Sequence, residues 1–399
     1  MKIKIFFCLA MTLALAASAY GQAQERVDEL IKQLGSFPDY DAIRAASEEL
    51  YQIGPPAAPD LIKALQNSDP GIRKEAARLL GDLKIKEAIV PLSKLIKDNK
   101  DWVVRSVVYS LGNIADPAAV APLKEALKHY DESVREAALY SLDELQAESA
   151  LPDIARVMLE DNDQYVRWRA MMVMKSIKEG SEVEAITRAL RDPGAEAKAR
   201  RNAASFVGDL KVDSALPLLV TAFEAKDENL RWRAVEAAGK IGNPAARKAI
   251  EGKLKDPSRD VRMFAISSLA ELGDEASVPP LAAMLSQKSP EIKKNAIRSL
   301  RKIGGASAAA AVRNMLTDPD KYIRAQAVET LAEMGDGKAV KQIRLLASDR
   351  SPVVRAAVMH ALGELGDGSD IYLLKTGSGD KNFWVSQEAE RALAKVQSD

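Results

Sequence analysis

Apolar residues recur along this chain in a helical pattern that repeats about every 31 residues. In one copy, Val261, Ala265, Leu269 and Leu272 follow one another at intervals of three or four residues, which places them on one face of an α-helix. In most copies an Asp, Ser or Asn stands three residues before the first apolar position, where its side chain can accept hydrogen bonds from the free amides of a first helical turn. Glycine often follows the last apolar position, where a left-handed helix cap belongs. The pattern predicts a first helix of about fourteen residues in each copy.

The copies align on a dipeptide of an aliphatic residue and arginine, such as Val134-Arg135, and we call its second residue the anchor. Twelve anchors follow one another at spacings of 30 to 33 residues: Ile43, Arg73, Val104, Arg135, Arg167, Arg200, Arg231, Arg262, Lys293, Arg324, Arg355 and Ser386. A second helix is predicted after each first helix, with its own apolar stripe, for example Ile89, Leu92 and Ile96. The twelfth copy contains only a first helix.

A single pair of such helices cannot bury its apolar stripes, whereas a stack of pairs can. The sequence therefore predicts an all-α fold, an α-solenoid (superhelix) of about twelve two-helix repeats over residues 38–399. A further amphipathic helix within residues 22–37, with Val27, Leu30, Ile31 and Leu34 on one face, is expected to cap the N-terminal end.

The first 21 residues have the organisation of a secretory signal peptide. Lys2 and Lys4 precede an apolar run, residues 5–17, that is too short for a membrane span. Small residues follow the run, so we expect cleavage after Ala19 or Gly21. The mature chain, which has no later apolar stretch of membrane-spanning length, is expected to be periplasmic or secreted from a bacterium.

Charge and composition narrow the function. The chain has 57 basic and 57 acidic residues, and this zero formal charge argues against nucleic acid as a partner, because such binders need a basic excess. One cysteine, Cys8, and two histidines, His129 and His360, exclude disulfide scaffolds, zinc clusters and iron–sulfur sites. The sequence contains no nucleophile elbow, phosphate-binding loop or dinucleotide fingerprint. We therefore expect no catalytic residue, no cofactor and no metal.

The segment Asp-Pro-Gly-Ile-Arg-Lys-Glu-Ala-Ala-Arg-Leu-Leu-Gly at residues 69–81, with Ala-Ile-Val-Pro-Leu at 88–92, resembles the short HEAT-like repeats of phycobilin lyases. The resemblance extends over roughly residues 38–399 and implies a fold more than a function, since such repeats serve lyases, hydroxylases, DNA-repair proteins and plain scaffolds. It implies that the first helices line the convex side and the second helices the concave side. The His-Glu pairs that hold iron in hydroxylases of this type are absent, because Tyr130 follows His129 and Ala361 follows His360.

Two tryptophans are candidates for contact with a partner. Trp168 and Trp232 occupy the same position, one residue after the anchor, within two copies of Arg-Trp-Arg-Ala. An exposed Trp flanked by arginines is typical of an interface anchor. The alternative is that each ring lies along its own helix beneath arginine side chains. A second aromatic group, two residues before the anchor, is predicted to pack against the preceding loop: Trp102, Tyr165, Tyr322 and Trp384.

Basic residues form the other candidate surface. Three outward positions of the eleven second helices carry twelve basic and three acidic residues. The densest run covers four successive second helices, and we call it the basic strip: Lys94, Lys97, Lys124, Lys128, Arg156, Arg188 and Arg191. Cations late in a helix complement its dipole, which is one explanation; a basic concave groove that attracts an acidic partner is the other. The anchor arginines are instead predicted to form a structural ladder of hydrogen bonds to the loops of adjacent repeats.

These observations predict an exported, non-enzymatic scaffold that binds a protein partner on the concave face of a helical-repeat superhelix. The basic-groove explanation of the strip implies that this partner is acidic. The resemblance implies an alternative, a HEAT-like lyase or chaperone that attaches a prosthetic group to a client protein.

Overall fold

The computed structural model describes residues 22–398, and the predicted signal peptide, residues 1–21, lies outside this range. Within the described residues every regular element is helical, which confirms the predicted all-α class and the α-solenoid of about twelve repeats. None of the described helices has the length and apolar character to cross a membrane.

First and second helices alternate as predicted, after an N-terminal helix α1 over residues 22–33. The first helices are the longer ones: α2 Tyr40–Ile53, α4 Pro70–Asp82, α6 Asp101–Ile114, α8 Glu132–Glu144, α10 Gln164–Ile177, α12 Ala197–Asp209, α14 Glu228–Ile241, α16 Arg259–Glu271, α18 Pro290–Ile303, α20 Lys321–Glu333, α22 Pro352–Leu365 and α24 Phe383–Ser398. The second helices are shorter, and most follow a turn of 3-10 helix: α3 Ala58–Ala64, α5 Ile89–Lys94, α7 Val120–Ala126, α9 Leu151–Glu160, α11 Ser181–Arg191, α13 Leu216–Ala222, α15 Arg247–Lys253, α17 Val278–Met284, α19 Gly305–Arg313, α21 Val340–Leu345 and α23 Ile371–Ser378.

The apolar stripes form the core of each repeat. Val261, Ala265 and Leu269 are fully buried, as are the corresponding residues of most repeats. In α1, Val27, Leu30 and Ile31 are buried, as is Leu34 just after the helix. Arg26 ties α1 to α2 through an ion pair of 2.6 Å with Glu49.

The predicted N-terminal caps are present in most first helices. The side chains of these residues accept hydrogen bonds from first-turn amides: Asp69, Asp131, Asp163, Asp227, Ser289 and Asp320. Ser351 is an exception, because its hydroxyl has no hydrogen-bond partner among the described residues. At the other end, Gly54, Gly242 and Gly335 have the predicted positive φ, of 66° to 78°. Gly366 does not (φ −77°), and a Cβ there would lie 2.3 Å from the carbonyl oxygen of Leu362.

The chain divides into two compact units, unit 1 up to Ala185 and unit 2 from Ile186. In both units, adjacent first helices approach closely through small residues. A Cβ on Gly112 would lie 2.6 Å from Ser141 Oγ, and one on Gly239 would lie 2.6 Å from Ser268 Cβ. The hydroxyls of both serines donate to carbonyls of the preceding first helix, at 3.1 and 3.0 Å.

The close packing of adjacent first helices indicates which side of each unit is concave. Adjacent second helices share far fewer contacts than adjacent first helices. In a curved stack the tighter row lies on the inner side, so the packing places the first helices on the concave side of each unit. The resemblance implied the opposite arrangement. The difference arises because the glycine and serine pairs that permit close approach lie on the first helices.

Most of the anchor arginines form the predicted ladder. Arg231 donates from Nη1 to the carbonyls of Ala225 and Lys226 at 2.9 and 3.1 Å, and from Nε and Nη2 to both carboxylate oxygens of Asp256 at 3.0 Å. Asp256 belongs to the turn that opens the next repeat and also accepts from the amide of Ser258 at 2.9 Å. Four further pairs share this bidentate geometry: Arg73–Asp98, Arg135–Asp161, Arg324–Asp349 and Arg355–Asp380.

Candidate partner-binding grooves

Exposed aromatic side chains gather on the first helices of unit 1. A groove with a volume of about 1020 Å³ runs beside α4, between the turn before α2 and helix α6. An adjoining groove of about 940 Å³ continues past the C-terminal half of α4 toward α8. The aromatic residues along the two grooves are each 40–72% exposed: Phe37, Tyr40, Tyr51, Trp102, Tyr109 and Tyr140. Aromatic residues make up only 5% of the chain, so this is a local concentration.

The repeat geometry positions these rings. Tyr109 and Tyr140 each stand five residues after an anchor, at equivalent places on α6 and α8, and their rings meet edge-on at 5.9 Å. Phe37 and Tyr40 meet in the same manner at 5.7 Å. Edge-to-face contacts of this kind are favourable and hold the rings in defined orientations. The grooves therefore present pre-arranged apolar surface to the solvent.

The floor of the grooves is a closed network of charges on α4. Glu75 is almost fully buried and accepts from Lys74 at 2.9 Å and from Arg78 at 2.8 Å. Arg78 also pairs with Asp82 at 2.6 Å. Burial raises the pKa of Glu75, but the two cations outweigh it, so that the pKa lies below its ordinary value. Glu75 is thus a charged and almost fully buried residue that lines both aromatic grooves.

The structure separates the two candidate tryptophans. Trp168, in unit 1, is 46% exposed, with the ring of Tyr165 at 5.9 Å. Trp232, in unit 2, stacks on Phe264 at 4.6 Å and has the guanidinium of Arg233 over its ring at 4.5 Å. Partial cover by an arginine therefore describes Trp232, which is half-buried, whereas Trp168 keeps its exposed surface.

The group two residues before the anchor is more exposed than predicted. Trp102, Tyr165, Tyr322 and Trp384 are 40–67% exposed, so packing against the preceding loop does not cover them. Trp102 lines the unit 1 groove, and Tyr322 and Trp384 line smaller grooves of unit 2.

The basic strip lies on the second helices, apart from these grooves. In unit 1, Lys124 pairs with Asp153 at 2.7 Å, Arg156 lies 3.7 Å from the same carboxylate, and Lys128 pairs with Glu125 at 2.8 Å.

Two lysines of the strip, on α5 and just after it, differ from these three residues. Lys94 and Lys97 are exposed and form no ion pair within the described part of the chain. Arg188 and Arg191 are exposed residues of unit 2. Asp153 lies outside the three outward positions of the second helices at which charges were compared. Its carboxylate neutralises part of the positive charge of the strip in unit 1.

Neither histidine belongs to a metal-ligand cluster, and residues 22–398 contain no group of three ligating side chains. His129 stacks on Tyr130 at 4.4 Å and accepts from the amide of Asp131 through Nδ1 at 3.2 Å. His360 lies 3.6 Å from Glu388 on the next first helix.

Three residues of the grooves were not predicted from the sequence: Tyr109, Tyr140 and Glu75. The two tyrosines carry a signal that alignment on the anchors displays, because both stand at the same outward position of neighbouring first helices. The ion pairs of Glu75 also have a signal, because Lys74 precedes it and Arg78 follows at i+3 on one predicted helix, but its burial depends on how α4 packs against other helices.

The repeats identify the family. The sequence profile of HEAT repeats matches residues 27–112, 106–175, 183–254, 248–319 and 309–394. The chain belongs to the HEAT-repeat family. A search of curated proteins finds no significant match.

Among solved structures, this HEAT-repeat protein is similar to the karyopherin Kap121p bound to Nup53p, with 13% identity, a TM-score of 0.62, and coverage of 94% of this chain and 49% of the karyopherin. Kap121p alone gives a TM-score of 0.59 at 13% identity, with 97% and 51% covered. The complex of CpcE and CpcF of phycocyanin lyase from Nostoc sp. PCC7120 shares 22% identity over 37% of this chain and 96% of that chain, with a TM-score of 0.34. The karyopherin similarity supports the solenoid fold.

Proposed function

We propose that this HEAT-repeat protein is an exported, non-enzymatic scaffold that binds a protein partner on the first-helix face. The observation that carries the proposal is the aromatic groove pair of unit 1, where exposed rings surround a fixed charged floor. Aromatic residues are enriched where proteins bind one another, and a concave apolar surface with a polar rim is typical of such sites. HEAT solenoids commonly serve as protein-binding scaffolds, and the karyopherin of similar fold is bound to Nup53p in its structure.

The chemistry of the groove favours binding over catalysis. The charged side chains of its floor form ion pairs with one another. Glu75 pairs with Lys74 and Arg78, and Asp82 pairs with a second nitrogen of Arg78. The pKa of Glu75 is lowered, which keeps this carboxylate ionised and unsuited to proton transfer near neutral pH. The rings supply apolar area with few rotatable bonds, so little side-chain freedom is lost when a partner binds.

Site-specific cross-linking tests where the partner binds. A photoreactive benzoylphenylalanine at Tyr109 is expected to cross-link a protein from periplasmic extract. The same group at Val90, which is 67% exposed on the second helix α5 of the same unit, serves as the control and is expected to give no such product. Equal yields from both positions would contradict a partner on the first-helix face.

Residues 1–21 are proposed to direct export, and this part of the proposal has its own test. Expression in a bacterium should yield a periplasmic or secreted chain whose new N-terminus follows Ala19 or Gly21, as read by mass spectrometry. Replacing Leu13 and Leu15 with Arg, which interrupts the apolar run, should retain the uncleaved chain inside the cell. An uncleaved cytoplasmic wild-type chain would remove export from the proposal.

The basic strip is proposed as an additional contact for acidic parts of the partner. The exposed pair Lys94 and Lys97 supports this role most directly, because the other lysines of the unit 1 strip have acidic partners. Reversal of both residues to Glu should slow capture of the partner found by cross-linking, while helicity stays unchanged. An unchanged capture rate would leave the helix dipole as the explanation for these cations.

A further inference from the structure

A separate groove lies on the first-helix face of unit 2, between α20, α22 and α24, and has a volume of about 540 Å³. Its apolar wall consists of Val353, Ala356 and Ala357 from α22 together with Trp384 at the start of α24. Trp384 is 67% exposed and Val353 is 41% exposed, so this wall faces solvent. The Asn382 side chain accepts from the amide of Trp384 at 3.1 Å, which fixes the turn that carries the ring.

Two carboxylates on the rim of this groove are matched by cations. Glu333 on α20 forms an ion pair with Arg301 of α18. Glu388 on α24 pairs with Arg391 at 2.7 Å. These two glutamates therefore have counter-ions within unit 2.

Glu329 is different. No lysine or arginine of the described chain forms an ion pair with it, although Lys294, Arg298 and Arg301 line the adjoining groove on the other side of Glu329. Partial burial raises the pKa of Glu329, the Glu333 carboxylate raises it further, and His360 lowers it. The groove thus combines an exposed indole ring, an aliphatic wall and a carboxylate without a matching cation.

We propose that this groove binds an arginine side chain from a basic segment of a protein partner. The guanidinium is planar, so it can stack on the ring of Trp384 while its N–H groups donate to Glu329. An apolar side chain next to that arginine fits against Val353 and Ala357. The carboxylate of Glu329 favours a cation, and the apolar wall favours a peptide over a free metal ion or a polyamine.

A pair of labelled peptides tests this proposal on the full-length chain. One is a ten-residue peptide with Leu-Arg-Leu at its centre, and the other has citrulline in place of arginine, which keeps the shape and removes the charge. Fluorescence anisotropy is expected to show about tenfold tighter binding of the arginine peptide. Equal affinity for the two peptides would overturn the proposal, whatever the outcome of cross-linking at Tyr109.

Two variants locate the effect. Glu329→Gln should abolish the preference for arginine over citrulline, and Trp384→Leu should weaken binding of the arginine peptide several-fold. Glu364→Gln is the matched control, because Glu364 lies on α22 but pairs with Lys395 at 2.7 Å and does not line the groove. A Glu329→Gln protein of wild-type helicity that keeps the arginine preference would also overturn the proposal.

Discussion

At the scale of single residues, the ladder arginines show how one side chain joins two repeats. The guanidinium of Arg231 donates hydrogen bonds to two carbonyls of the turn before its own helix and to Asp256 in the next repeat. Arg262 makes the same two carbonyl contacts, at 2.7 and 3.0 Å, but Gln287 stands where the aspartate would be. The two arginines therefore differ by one inter-repeat ion pair.

This difference predicts unequal losses of stability. Arg231→Gln should lower the free energy of unfolding by roughly 1–3 kcal/mol more than Arg262→Gln, because it leaves the almost fully buried Asp256 without its cation. Urea denaturation followed by circular dichroism measures both. Losses of equal size would show that the carbonyl contacts, rather than the ion pair, carry the stabilisation.

The ladder also predicts sensitivity to acid. The hydrogen bonds from Arg355 hold the pKa of Asp380 below its ordinary value, and the pKa values of Asp256 and Asp349 are likewise lowered because their arginines outweigh the effect of burial. These carboxylates contribute stability that is fully present above their unfolded pKa of about 3.9 and is lost as the pH falls through the lower folded values. Thermal unfolding from pH 6 to pH 3 should show the loss below about pH 4, with a smaller decrease in Arg355→Gln.

At the scale of helices, the ends of the first helices carry a conformational cost in some repeats. In most repeats the position eleven residues after the anchor has positive φ, in glycine and in non-glycine residues alike, for example Gly242 at 78° and Ala115 at 56°. L-residues are disfavoured in this region by about 1–2 kcal/mol. The exit turn, rather than the residue, therefore sets this conformation.

Exchanging the two residue types should shift stability in opposite directions. Ala115→Gly should raise the free energy of unfolding by about 1 kcal/mol, and Gly242→Ala should lower it by a similar amount. A Cβ on Gly242 would meet no atom within 4 Å, so the comparison isolates the backbone. Thermal denaturation of both variants tests this expectation, and a stabilised Gly242→Ala protein would contradict it.

Sequence patterns predict the helices well because caps and apolar stripes act within one helix. Asp163 and Leu269 each perform the role that local spacing assigns to them. The concave side could not be predicted in this way, because it depends on how closely Gly112 of one helix approaches Ser141 of the next. The candidate site was only partly predictable for the same reason: Lys124 looked free in sequence, and the fold brings Asp153 to it.

At the scale of the whole molecule, equal numbers of acidic and basic residues conceal two surfaces with different responses to salt. The floor of the aromatic grooves holds charges that pair with one another, whereas Lys94 and Lys97 carry unpaired charge in the described structure. Capture through the grooves should change little with salt, and the contribution of the strip should fall as the screening length shortens from about 10 Å at 0.1 M toward 3 Å at 1 M.

Partner capture measured at low and high salt tests this separation. Substituting Trp102 and Tyr109 with Ser should weaken capture at every salt concentration, because the lost contacts are apolar. Reversing Lys94 and Lys97 to Glu should weaken it at low salt only. Groove variants whose defect disappears at high salt would assign the contact to charge instead.

The forward reach of the ladder arginines also bears on how such an array can lengthen. Each intact repeat opens with an acceptor, such as Asp349, and carries its own donor a few residues later, such as Arg355. If a duplicated copy were inserted between two intact repeats, its opening aspartate would accept hydrogen bonds from the arginine of the preceding repeat. Its own arginine would donate to the aspartate of the following repeat, so every charged group would keep a partner. Donor and acceptor are both absent at the positions of Ile43 and Asn67 and of Val104 and His129, whereas Arg262 lacks only the acceptor, because Gln287 takes its place. The array can therefore grow by whole copies, while a partial copy would break its register.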